Sequence, residues 1–152
     1  PSLRQAMKGM ERGRPLPRPE MALTTSMVAR MVKEADSHGD DDVATIIAVS
    51  RHFLLRVPSE ALPLQWSGEH SCITFSGDSV CIRLTRRKNV SMPSVLTRTC
   101  CCKSTGQRLC AYHRLLKMSK EAGTHGAKVF STSKAQFSSK SIEISTLIII
   151  LK

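Results

Sequence analysis

The chain has 152 residues, 41% of them hydrophobic, with 23 Lys or Arg against 12 Asp or Glu and a formal charge of +11. The length suits one domain and the apolar content can build a core, which argues against wholesale disorder. Four Phe, one Trp and one Tyr are too few for a base-stacking platform, and no apolar run reaches the ~18–20 residues of a membrane span.

Residues 1–20 read as a basic linker: Gly9, Gly13, Pro15, Pro17 and Pro19 oppose a regular helix. The N-terminus also lacks the apolar core of a secretion signal, so secretion is not expected. Leu23-Thr24 marks a helix start, with Thr24 as cap and Leu23 able to staple onto Val28. Met27, Val28, Met31, Val32 and Ala35 follow at helical spacing, and Gly39 ends the run. Asp40, Asp41 and Asp42 then place negative charge where a helix dipole favours it. As metal ligands they are the poorer reading, and a helix cap the better one. The next helix, over 43–55, is apolar almost all round and belongs in the middle of a core. Pro58 opens a short third helix that Pro63 limits.

From Ser71 the period changes to two. Cys72-Ile73-Thr74-Phe75 is a strand, Gly77-Asp78 a turn, and Val80, Ile82 and Leu84 form the inward set of a second strand. Arg86-Arg87-Lys88-Asn89 reads as a hairpin tip, and 90–96 as a third strand weakened by Pro93. A helix is expected over 109–122, and a helix or an extended segment over 129–137. Residues 141–152 form an apolar tail with β-aggregation character. The order predicts an α+β domain, mostly helical, with a small three-stranded antiparallel sheet.

Charge is uneven. Between Asp78 and Glu121 stand ten basic residues and no acid, a field that suits either a polyanion or a solvated face. Arg83, Arg86, Arg87, Arg98, Lys103 and Arg108 are its candidate DNA contacts.

The most informative segment is Leu55-Arg56-Val57-Pro58-Ser59-Glu60-Ala61-Leu62-Pro63-Leu64-Gln65-Trp66. It resembles the first catalytic box of the tyrosine recombinases, the phage-integrase family: an Arg, a small residue and Glu, then Leu-x-x-Leu-x-Trp. The helices before it and the basic hairpin after it stand where that family's catalytic domain has them, and the resemblance covers about 14–140. It implies the fold of the DNA breaking-rejoining enzymes, a role in DNA recombination and integration, and duplex DNA as partner. Family members act as oligomers on DNA. By resemblance, Arg56 would contact a non-bridging phosphate oxygen, Glu60 would anchor it, and Lys88 would act as general acid beside Arg86 and Arg87. Taken alone, Arg56 also suits a cation at a helix C-terminus.

The second half of the family's site does not appear. His125-Gly126-Ala127-Lys128 has Lys in place of the second Arg, and His113-Arg114-Leu115-Leu116 has Leu there. Tyr112, the only tyrosine, precedes the point where the second box should stand. The chain therefore reads as a truncated or degenerate mobile-element remnant, with a partial catalytic domain over 21–140 from which strand cleavage is not expected. An incompletely folded fragment, its 43–55 helix partly uncovered, is a further expectation.

A second constellation is Cys100-x-Cys102 followed by Cys110-x-x-His113. Three thiolates and an imidazole could close a structural zinc site with Cys101 pointing away, and the surrounding cations would lower the thiol pKa values. That gives an alternative function, a zinc-stabilised nucleic-acid-binding or interaction module; otherwise no cofactor is required. Three consecutive Cys and no signal favour a reducing compartment: the nucleus of a eukaryote, or otherwise the cytoplasm or nucleoid.

Overall fold

The computed structural model describes residues 23–87, 90–121 and 128–150. The expected 1–20 linker, Lys88 and His125 lie outside them. The protein is an α+β domain of helices around one three-stranded antiparallel sheet, as the sequence predicts.

Helix α1 (Thr25–Ser37) starts as expected: the Thr24 side chain accepts a hydrogen bond from the Met27 amide. The staple does not form part of this cap, since Leu23 stays exposed. Gly39, at φ +74°, makes the turn into α2 (Asp41–Phe53). Helix α2 is central because both of its faces are apolar. Ile46, Val49 and Phe53 face a cluster made with the sheet, while Val43, Ala44, Ile47 and Ala48 face α1. Every residue from Val43 to Val49 is buried, so the expected uncovering of this helix does not occur.

The cover comes from the C-terminal segment. Val129 and Phe130 are buried, and helix α5 (Lys134–Ile150) lies against α1 and α2, with Ile144 packed against both. The tail expected to favour β structure is therefore helical, and the expected element over 129–137 divides into a buried anchor outside any helix and a helix start at Lys134. Ser133 caps that start: its Oγ accepts from the Gln136 amide, and Gln136 Oε1 accepts from the Ser133 amide. This reciprocal pair fixes where helical propensity takes over. Three acidic residues tie the segment and α4 to α2. Asp40 pairs with Lys140, Asp41 with Lys117, and Asp42 accepts from the amides and hydroxyls of Ser131 and Thr132.

The short third helix is a single π turn, Val57–Ala61, closed by i→i+5 bonds from Ala61 to Arg56 and from Leu62 to Val57. Strands β1 (Ser71–Ser76), β2 (Ser79–Leu84) and β3 (Ser94–Thr99) pair in sequence order. Ile73, Val80, Ile82 and Leu84 turn to the core. The third strand begins later than expected, because Pro93 has no N–H to give the ladder and pairing starts after it. A four-residue helix α3 (Cys102–Thr105), a 3₁₀ turn (Gln107–Leu109) and helix α4 (Ala111–Glu121) follow. Among the described residues no helix is long and apolar enough to cross a membrane.

Candidate functional site

Two corners of the molecule carry chemistry. The first is organised by Glu60, whose side chain is 5% exposed. The π turn aims it back toward the end of α2. Its Oε2 accepts from the Arg56 amide at 3.1 Å, and its Oε1 accepts from Arg87 Nε at 3.4 Å. Arg87 Nη2 donates further to the Leu54 carbonyl at 3.3 Å. One buried carboxylate thus holds the arginine box and the base of the β2–β3 hairpin together.

The sequence-predicted residues divide here. Glu60 anchors the Arg56 backbone, while the Arg56 side chain is exposed. Arg83 and Arg86 are exposed as well, and Arg87 is spent on Glu60. Leu54, missed by sequence reasoning, adopts φ +54° at the end of α2 and is 67% exposed. A bulky residue in the left-handed region carries strain of order 1 kcal/mol. No composition signal marks such a position, because Leu is an ordinary core residue.

The second corner lies at the other end of the same strands. Cys100 follows β3, Cys102 opens α3, Cys110 precedes α4 and His113 stands in its first turn. Their ligand atoms all lie within 4.8 Å of one another, and the cluster could hold a metal ion. Cys102 Sγ is 3.1 Å and Cys100 Sγ 3.6 Å from His113 Nδ1, and the Cys100 and Cys110 sulfurs are 3.9 Å apart. A tetrahedral site with Zn–S bonds of ~2.3 Å has sulfur–sulfur edges of about 3.8 Å, so these donors fit such an ion. Cys101 does point away, onto Thr105 Oγ1 at 3.2 Å and toward His52 Nδ1 at 3.9 Å.

The thiols are not uniformly acidified by the basic field. Burial, then the neighbouring Cys100 and Cys110, pushes Cys102 up to about 12. Burial also raises Cys101. Burial works against the Cys110 thiolate too, but hydrogen bonds from the His113 side chain and from backbone amides outweigh it and bring Cys110 down to about 6. Burial at Cys101 and Cys102, and local hydrogen bonds at Cys110, set these directions rather than the distant Lys and Arg side chains.

The remaining cations sort by partner. Arg114 pairs with Asp36 at 2.6 Å and Lys117 with Asp41 at 3.1 Å. Arg98 donates to the carbonyls of His52 and Thr97 and lies over the Phe53 ring at 5.9 Å. Lys103 and Arg108 are exposed. Tyr112 is structural: its hydroxyl donates to the Gly77 carbonyl at 2.9 Å, and its ring meets Phe75 and His113 edge-on.

No family model matches the chain, and neither a curated protein nor a solved structure matches it.

Proposed function

We propose that this protein binds duplex DNA through the Arg56 corner, as a tyrosine-recombinase-like domain in which the first arginine box still faces a phosphate. The observation that carries the reading is Glu60, buried and shared between the Arg56 amide and the Arg87 guanidinium. It supports the reading because it presents the exposed Arg56 beside the basic hairpin, so that two chain segments converge on one anion. Arg offers paired planar donors for phosphate oxygens. Arg83 and Arg86 are exposed and supply further charge, and Lys88 follows them in the sequence. The reaction class is binding without strand cleavage. Tyr112 is committed to packing, and no second Arg box stands in these residues.

Titrating two labelled duplexes of unrelated sequence tests the proposal. Comparable affinities that weaken steeply with salt support it. A nicked duplex should yield no covalent protein adduct, and such an adduct would overturn the binding-only assignment. No association with either duplex at low salt would overturn the whole reading.

The cysteine corner favours a second reading, a zinc-stabilised nucleic-acid-binding or interaction module without recombinase ancestry. The spacing of its four donors supports a structural Zn²⁺, with every position filled by protein and none left for substrate. Purified protein carrying one equivalent of zinc supports the metal, and metal-free protein that takes none up on titration removes it.

A further inference from the structure

We infer that the Cys100, Cys102, Cys110 and His113 cluster, loaded with Zn²⁺, fixes Lys103 and Arg108 as a second phosphate contact for duplex DNA. The inference rests on the DNA reading above and adds a metal-dependent part to its surface. The four donors bracket one loop, two before it and two after it. Within the loop neither α3 nor the 3₁₀ turn buries a residue. Lys103, Ser104, Gly106, Gln107 and Arg108 are all exposed, and Leu109 only partly joins the α1–α2 cluster. A segment with so little buried surface opens at low free energy unless its ends are held.

Both ends have anchors to offer. The Cys100 amide donates to the Asp78 carbonyl at 2.8 Å, which fixes it to the β1–β2 turn. Ala111 and Leu115 seat α4 in the core at 0% exposure, carrying Cys110 and His113 with it. An ion held between these anchors closes the loop and sets where its side chains point. The loop contains no acid. Its neighbours Arg114 and Lys117 are neutralised by Asp36 and Asp41, which leaves Lys103 and Arg108 for an external anion.

The placement suits a long polyanion. The arginine hairpin precedes strand β3 and the cysteine loop follows it, and the strand's six residues span about 17 Å at ~3.3 Å per residue. Duplex DNA offers a charge every ~1.7 Å of axis, so a single duplex can meet both corners.

The test uses the full chain and a labelled duplex, and reads the slope of log affinity against log salt. Three samples are compared: zinc-loaded wild type, chelated wild type, and zinc-loaded Lys103→Ala/Arg108→Ala with its zinc content verified. Two lost phosphate contacts should lower the slope by about 1.8 in the second and third samples, and chelating the double variant should lower it no further. His113→Cys, which keeps four ligands, should retain the wild-type slope. A zinc-replete double variant with the wild-type slope overturns the inference, even where chelation unfolds the protein. So does a chelated wild type that keeps its slope, or a protein that takes up no zinc. Each of these leaves the Arg56 reading standing; absence of duplex binding by zinc-loaded wild type removes both.

Discussion

The two corners at opposite ends of the β2–β3 pair are built on different principles. The arginine corner is held by a buried carboxylate and by core residues on either side of it, including Leu55, Ala61 and Leu64. Its geometry exists without any ligand. The cysteine corner encloses a loop that buries almost nothing, and on the zinc proposal its order depends on the ion its thiols and imidazole would hold. One corner is preorganised by packing and the other, on the zinc proposal, is conditional on an ion, although Arg86 and Lys103 come from the same acid-free stretch of sequence.

The strongest way to break that contrast is to remove metal. Structural zinc contributes folding free energy outright. Chelation, or Cys110→Ser, should therefore lower the thermal midpoint by about 10 °C or more, and should abolish amide protection over 100–113 while sparing α2. Cys81→Ser, at a half-buried position outside the cluster, should leave the midpoint within a degree or two. Equal effects of the two substitutions would show that the cluster is ordinary packing.

Next in size is Glu60→Ala. It strands the Arg56 amide and the half-buried Arg87 guanidinium, and should cost about 2–4 kcal/mol in urea unfolding. Glu60→Gln, which still accepts, should cost less. The opposite sign is expected at Leu54. Leu54→Gly relieves the left-handed backbone at φ +54°, and a gain of up to ~1 kcal/mol should appear as a shifted urea midpoint, offset in part by the greater freedom of glycine in the unfolded chain.

The smallest effect concerns His52. Burial first, and then the charge of Arg98, holds its pKa below the usual 6.5. The folded state therefore resists protonation that the unfolded chain accepts. Stability should be indifferent to His52 above about pH 6.5 and decline as pH falls below it toward the folded pKa. His52→Gln should flatten that part of the profile, measured as urea midpoints at pH 7.5 and 5.5.

Legibility in the sequence followed the same division. Periodicity disclosed α1, α2, β1, β2 and α4, because each buries a regular stripe. It missed the start of β3, where Pro93 decides the register, and the helical tail, whose β-branched residues at Ile142, Ile144 and Ile148 suggest a strand. Tertiary contacts override that local preference: Ile144 packs against α1 and α2, and Lys140 reaches Asp40. At the candidate sites, residue types were legible and their employment was not. Spacing found the four donors and the outward turn of Cys101. It could not separate Arg56 and Lys103, which are exposed, from Arg87 and Arg98, which are used inside the fold. That distinction needs partners distant in the chain, Glu60 and the His52 carbonyl.

The most direct test of the central claim compares wild type with Arg56→Ala in duplex binding across several salt concentrations, with the thermal midpoint followed in parallel. Loss of one phosphate contact should lower the salt slope by about 0.9 and weaken binding, while the exposed position of Arg56 leaves stability nearly unchanged. An Arg56→Ala protein with the same slope and affinity as wild type would contradict the claim that this corner faces DNA phosphate.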